Sequence, residues 1–346
     1  MSIKVSCIVP CRNEEKFIAN CLDTLITQDM PHDQFEILVI DGESTDRTIE
    51  IISEYQKKYP FIKVINNPKK ITPAAFNVGI RNALGEYIII IGAHSTYNKE
   101  YVSRCVKYIE RDKIEHVGGV GNTLPRTSGF MAQAICLTIT HPFGVGNSVM
   151  RTGITEPTEA DTASTGCYPR AIFERIGYFN ENLIHSQDIE LNRRLKRLGG
   201  TIMVYPDLIC SYYARSELFD VIKYTIKNGR WAIMPFIWVE NPVSIRHLVP
   251  LGFASFLLLG PLFCLLFPLL WVGYVGVLVL YMSLAIKAAI ELCKREKNWR
   301  YLPVLPFLFL MHHLCYGIGS LWGVTTILTS PAFCKRQWKR FSKASA

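Results

Sequence analysis

Apolar positions in this chain follow two regimes, one on either side of about residue 248. In the first, short apolar runs at 5–9, 35–40, 63–65 and 87–91 alternate with helix-like stretches near 15–28, 46–59 and 73–83. The run 87–91, Tyr-Ile-Ile-Ile-Ile, has no in-and-out alternation, which is how a strand buried on both faces reads. Strands alternating with helices predict an α/β domain with a mainly parallel, Rossmann-like sheet covered by helices. The stretch 118–165, rich in Gly, Thr and Pro and weakly periodic, reads as loops shaped by substrate.

The second regime is membrane-like. Residues 248–270 carry no charge, 271–290 carry only Lys287, close enough to its end to snorkel, and 302–328 carry none apart from a proton on His312 or His313. About 20 apolar residues cross a bilayer as helix, so each run is long enough. Lys294, Arg295, Lys297 and Arg300 lie between the second and third runs, and the positive-inside rule puts that loop in the cytoplasm. If the first two runs form a hairpin, the soluble part is cytoplasmic too. A full third span would then carry the tail, with Lys335, Arg336, Lys339, Arg340 and Lys343, to the outer side, against its charge. Either the third run is re-entrant or broken near Gly317-Ile318-Gly319, or the Pro-interrupted first run does not cross fully. The expected organisation is an α/β domain over 1–235 with an interfacial helix near 216–235, a membrane region over 246–330 and a basic tail over 331–346.

Composition narrows the setting. The segment 1–10 is short and β-like and leads directly into a polar motif, so no signal peptide is expected and the α/β domain is placed in the cytosol, on a multi-pass protein of the cell (inner) membrane. Eleven cysteines without a C-x-x-C pair suit reduced thiols rather than disulfides or a zinc site. The net charge of +9 comes partly from the two juxtamembrane clusters and matches anionic membrane lipids; no nucleic-acid motif accompanies it, and no nucleic-acid partner is expected.

The first two strands deliver polar residues at their carboxyl ends: Cys11-Arg12-Asn13-Glu14-Glu15 and Asp41-Gly42-Glu43-Ser44-Thr45-Asp46. Ligands of open parallel sheets sit at that edge, because successive strand-to-helix loops converge there. An acid beside a Gly at such an edge can accept hydrogen bonds from a base or ribose, and Ser44 or Thr45 is placed to cap the next helix. Farther on, Ser186 is placed to cap a helix with the apolar stripe Ile189, Leu191, Leu195 and Leu198. Asp188 then falls in the first turn, where the helix dipole favours the ionised carboxylate that a general base requires. Lys223, Lys227 and Arg230 recur at i, i+4 and i+7, a cationic face suited to a diphosphate or to lipid headgroups.

Together these motifs resemble the nucleotide-binding half of the family-two glycosyltransferases, which have the GT-A fold. Members typically carry V-P-x-x-N-E and then V-D-D-G-S-x-D; this chain reads Val9-Pro10-Cys11-Arg12-Asn13-Glu14 and Ile40-Asp41-Gly42-Glu43-Ser44-Thr45-Asp46, one acid short. Asn77-Val78-Gly79-Ile80-Arg81, Gly92-Ala93-His94, Thr165-Gly166-Cys167-Tyr168 and Gln187-Asp188-Ile189-Glu190 follow in family order, so the resemblance spans roughly 4–235. Where the family has a metal-binding Asp-x-Asp this chain has Gly92 and His94, and relatives of succinoglycan type often read Asp-Ala-His there. Neutral imidazole is a competent ligand for manganese and less suited to magnesium. Gly229-Arg230-Trp231 is similar to the Q-x-x-R-W motif of processive synthases, but Lys227 replaces its Gln, which argues against a processive enzyme.

The resemblance implies an inverting transfer of a hexose from a nucleotide sugar, a UDP-sugar, to a polyprenyl-diphosphate-linked saccharide in polysaccharide or exopolysaccharide synthesis. It implies Pro10, Arg12, Glu14, Asp41, Asp46, Asn77 and Arg81 around the donor nucleotide, His94 on a divalent cation (Mn2+ or Mg2+), Asp188 as base, with Asp161 and Glu159 the next acids, and Lys227, Arg230 and Trp231 at the acceptor diphosphate. A polyprenyl-phosphate glycosyltransferase and a catalytically weak donor- or lipid-binding subunit are the alternatives.

Overall fold

The computed structural model describes residues 2–146, 148–163, 165–239, 245–331 and 333–334. Four parallel strands carry the framework: β1 (Val5–Cys11), β2 (Phe35–Asp41), β3 (Ile62–Asn66) and β4 (Tyr87–Ile90), side by side in the order β3-β2-β1-β4. β1 and β2 are mostly apolar because both faces are covered: every residue of β2 is buried, and only Pro10 of β1 is not. Pro10 lies past the last β1–β4 pair, Ile8 with Ile90, where the ladder on that side has ended.

The sheet continues past β4 with β8 (Cys167–Pro169), β6 (His116–Pro125), β9 (Ile202–Ala214) and β5 (Ser95–Tyr97), and β7 (Thr158–Glu159) pairs with β9. β8 runs antiparallel to β4, with Ile88 opposite Tyr168. The parallel core is the GT-A-like arrangement expected from the sequence, and the antiparallel extension adds to it. The helices Ile18–Ile26, Thr48–Lys58 and Thr72–Asn82 connect the parallel strands, so each starts at the strands' carboxyl edge and returns to the amino edge. At that amino edge the buried Glu36 is satisfied by the Ser6 hydroxyl (2.6 Å), the Leu84 N–H (2.8 Å) and the Lys63 ammonium (2.9 Å), which marks it as a structural acid.

The chain divides into two compact units, Met1–Leu124 with Val149–Tyr213 and Pro125–Ser148 with Ala214–Ala346. The second holds three helices long and apolar enough to cross a membrane: Val249–Leu266, Leu270–Arg295 and Leu305–Leu328. Leu265, Leu266, Leu269 and Val272 expose their side chains, as lipid-facing residues do. The helix Leu218–Ile233 belongs to this unit, so the single body expected over 1–235 is divided. It lies backbone to backbone on Leu305–Leu328: side chains at Gly229, Gly319 or Gly323 would strike the Tyr316, Ile226 or Arg230 carbonyls, and Ser320 Oγ donates to the Gly229 carbonyl at 3.1 Å. The stretch read as loop also contains a helix, Phe130–Thr140, packed in this unit with Ala288, Leu305 and Phe309. The basic tail expected over 331–346 lies outside the described residues from 335 on. The described cysteines are free thiols, all buried but Cys334.

Candidate active site

The loops after β1 and β2 are stitched into one surface. Asp41, only 5% exposed, accepts at Oδ1 from the Ser44 hydroxyl (2.6 Å) and at Oδ2 from the Ser44 N–H (3.1 Å). The same hydroxyl accepts from the Asn13 N–H (2.9 Å), while Asn13 Oδ1 accepts from the Thr45 N–H (2.8 Å). Asn13 and Glu43 both sit at φ 56°, the left-handed conformation that Asn tolerates best. Ser44 and Thr45 therefore bind the neighbouring loop and do not cap the next helix as expected. Asp46 takes that place: it accepts from the Thr48 N–H (3.0 Å) and hydroxyl (2.6 Å) and from the Glu15 N–H (3.2 Å). Slight burial works against ionisation, yet these bonds hold the Asp46 carboxyl below its usual range. Its carboxylate is thus spent on the loop, whereas Arg12 is exposed with its stem against Gly42.

The structure separates two further residues from this edge. Asn77, buried in mid-helix, donates to the Phe179 carbonyl (3.0 Å) and to Glu181 (2.9 Å) and accepts from the Phe179 N–H (2.9 Å), so its amide holds the 179–181 segment. Arg81 lies in the last turn of Thr72–Asn82, at the amino-edge end, with its guanidinium over the Tyr178 ring at 4.9 Å. The sequence places both in the right motif without showing which end of the helix meets the ligand edge. Asn77→Ala should destabilise the protein by about 1–3 kcal/mol, because it leaves buried Phe179 backbone groups unpaired. A denaturation midpoint equal to wild type would contradict that role.

His94 follows β4 at the same carboxyl edge. Its Nδ1 faces Glu14 Oε1 at 3.3 Å, Nε2 has no hydrogen-bond partner among the described residues, and the ring lies edge-on to Phe17 with centroids 6.5 Å apart. A side chain at Gly92 would meet Ser95 Oγ at 2.9 Å, and the Gly92 N–H donates to the Tyr97 hydroxyl at 2.8 Å, so this backbone is enclosed where the family has its first acid. Among the described residues no group of three His, Cys, Asp or Glu is placed to hold a metal alone. One half-exposed imidazole with an open ring nitrogen fits an ion that draws its remaining ligands from a diphosphate and water.

Asp188 stands in the first turn of Gln187–Arg197. Ser186 adopts φ 60° and makes no side-chain capping bond, in contrast to the expected N-cap, and Leu198 is 57% exposed. The buried face is instead Glu190, Leu191, Asn192 and Leu195. Enclosure by protein raises the pKa of Asp188, opposed by its own and the Ile189 N–H groups and by the Arg151 charge.

One turn beyond, Asn192 donates to the Thr162 hydroxyl (2.9 Å) and the Ala163 carbonyl (3.2 Å) and accepts from the Tyr168 hydroxyl (3.0 Å). This ties Asp188's helix to the loop that enters β8, where the Ile90 N–H at the end of β4 donates to the Gly166 carbonyl (3.1 Å). Tyr168 stacks on buried His116 at 3.8 Å, and burial pushes the pKa of His116 down to about 3, with Asn192 acting the other way, so its ring stays neutral. Asn192 went unread as a site residue, although its i+4 spacing from Asp188 put both on one helix face.

Lys227, Arg230 and Trp231 fall in the second unit. Lys223 and Lys227 are exposed, but Arg230 lies over the Trp322 ring at 4.2 Å, so the cationic row is not continuous. Trp231 packs against the apolar cluster of Ile233, Met234 and Ile327.

Residues 6–173 match the profile described as "Glycosyl transferase family 2". A Methanococcus voltae protein, "Dolichyl N-acetyl-alpha-D-glucosaminyl phosphate 3-beta-D-2,3-diacetamido-2,3-dideoxy-beta-D-glucuronosyltransferase", is 34% identical over 92% of this chain and 97% of its own length. This chain belongs to glycosyl transferase family 2 and is a glycosyltransferase. A second family relative, "Succinoglycan biosynthesis protein ExoA" of Rhizobium meliloti (strain 1021), is 27% identical over 71% of this chain and 74% of that one. Among solved structures, the mannosyltransferase PcManGT from Pyrobaculum calidifontis, in complex with GDP-Man and Mn2+, shares the fold with TM-score 0.58 and 19% identity, over 93% of this chain and 88% of that one.

Proposed function

We propose that this glycosyltransferase moves a hexose, with inversion, from a UDP-sugar to a saccharide carried on a polyprenyl- or dolichyl-type lipid phosphate at the cytoplasmic face of the cell membrane. The observation that carries the reading is that one chain holds both the strand-edge site and three helices long and apolar enough to cross a membrane, which would keep the enzyme where a lipid-borne acceptor resides. The Methanococcus voltae relative, named for a sugar already attached to dolichyl phosphate, favours a lipid-linked saccharide over a bare lipid phosphate. It also widens the expected acceptor from a diphosphate linkage to include a monophosphate.

In this reading Asp188 takes the proton of the acceptor hydroxyl as that oxygen attacks the anomeric carbon, and the nucleoside diphosphate departs from the opposite face. Its raised pKa suits a base, since a more basic carboxylate draws the proton more strongly. Asn192 and Tyr168 hold the helix and loop around it. Arg12 and Asp41 line the nucleotide pocket, with Asp41 offering the Oδ2 lone pair that Ser44 and the Cys11 thiol leave open. A divalent ion held by His94 would neutralise charge on the leaving diphosphate. Lys227 and Arg230 serve the acceptor phosphate.

Incubating the purified full chain with a panel of UDP- and GDP-sugars, and with lipid phosphate, lipid-phosphate-saccharide and lipid-diphosphate-saccharide acceptors, tests the reading. Transfer from a UDP-sugar to a saccharide acceptor is expected. Transfer only to the bare lipid phosphate would establish the polyprenyl-phosphate alternative, and binding without transfer would establish a weak subunit. Asp41→Ala should weaken UDP binding by about 1.5–3 kcal/mol, the usual loss for a hydrogen bond to a charged group. Unchanged calorimetric affinity in the folded variant would remove Asp41 from the pocket.

A further inference from the structure

Glu14 belongs to the motif expected to touch the nucleotide, yet its carboxylate faces a histidine ring. Oε1 stands 3.3 Å from His94 Nδ1. An ionised carboxylate has no proton to give, so this approach is attractive only when Nδ1 carries the hydrogen. In the neutral ring the lone pair then lies on Nε2, the nitrogen without a protein partner.

The surroundings fix both members. The Glu14 N–H donates to Thr48 Oγ1 at 2.7 Å, and that hydroxyl is held by Asp46 at 2.6 Å. Phe17, whose N–H bonds the Glu14 carbonyl at 2.9 Å, lies edge-on to the imidazole and stacks on Tyr213 at 6.2 Å. The ring is thus bounded by a carboxylate and an aromatic side chain.

We propose that Glu14 is a positioning residue for the divalent ion: its carboxylate accepts from Nδ1–H of His94 and turns the Nε2 lone pair toward the ion that accompanies the nucleoside diphosphate. The inference rests on His94 being a metal ligand, as in the proposed function. It explains how a site with Gly92 in place of an acid keeps a usable donor, because a carboxylate behind a ligating imidazole fixes its tautomer and orientation and supplies the negative charge from outside the ligand shell. It also reassigns Glu14 from the nucleotide to the metal.

Full-length protein in detergent, saturated with UDP and titrated with MnCl2, supplies the test, with bound Mn2+ read by electron paramagnetic resonance. Wild type should bind Mn2+ far more tightly with UDP than without, and Glu14→Ala should raise the Mn2+ Kd about 10–100-fold, the usual effect of removing such a partner. UDP affinity in metal-free buffer should be the same in both. Glu14→Gln, whose amide oxygen still accepts from Nδ1–H, should recover part of the loss. Selective 15N-histidine spectra, assigned with His94→Ala, should show Nδ1 protonated in metal-free wild type and a mixture of tautomers in Glu14→Ala.

Wild-type Mn2+ affinity in Glu14→Ala, or an equal fall of its metal-free UDP affinity, would overturn the proposal. A loss in Glu14→Gln as large as in Glu14→Ala, with the tautomer unchanged, would make Glu14 a direct ligand and overturn it as well. No UDP-dependent Mn2+ binding in wild type would instead bring down the metal reading itself, a result distinct from a defect confined to the variants.

Discussion

Asp188→Asn is expected to lower turnover by roughly 10²–10⁴-fold, the range for loss of a general base, and to leave donor binding and folding intact. The stability half follows from the sign of the pKa shift. A group whose folded-state pKa is raised contributes stability while protonated and loses it as pH rises through the folded pKa, so at neutral pH the ionised Asp188 costs the folded state free energy. A neutral isostere removes that cost, and the variant should melt at or above the wild-type temperature. The same shift places the acid limb of the kcat profile above the ordinary carboxylate range, with activity lost as pH falls through it. Near-normal transfer by the variant would make Asp188 a helix-end residue and move the search to Asp161 and Glu159. Loss of activity together with a lowered melting temperature would show a structural role instead.

Activity should also vanish on chelation and in His94→Ala, and return in wild type with Mn2+ more fully than with Mg2+. The described site offers a single imidazole with an open nitrogen, and imidazole favours the softer ion. Chelator-resistant turnover in wild type would exclude a required ion, and full activity in His94→Ala would remove this residue from the site.

The parallel strands were legible because burial on both faces leaves mostly apolar runs: all of Phe35–Asp41 is buried, with Glu36 its one charged residue before Asp41 at the ligand edge. The helix Phe130–Thr140 was not legible for a related reason. Its buried residues, Ala132 and Ala134 through Thr138, surround the helix, so no stripe marks its period. Asp188 lies in a first turn as expected and Leu191 and Leu195 of the stripe are buried, but the cap and the rest of the stripe differ, because Asn192 is drawn inward by partners distant in sequence, Thr162 and Tyr168. Likewise Asp46 and Asn77 carry motif identities while their hydrogen bonds go to partners within the fold that the motifs do not name. Glu14 is the converse case, a motif residue whose partner lies 80 positions away.

An inverting transfer to a lipid-borne saccharide fixes the anomeric configuration of the product, which NMR reads. Wild-type enzyme given an α-linked UDP-sugar and a lipid-phosphate-linked saccharide should yield only the β-glycoside, read from the anomeric proton in the product's NMR spectrum. An α-linked product would contradict the single-base mechanism assigned to Asp188.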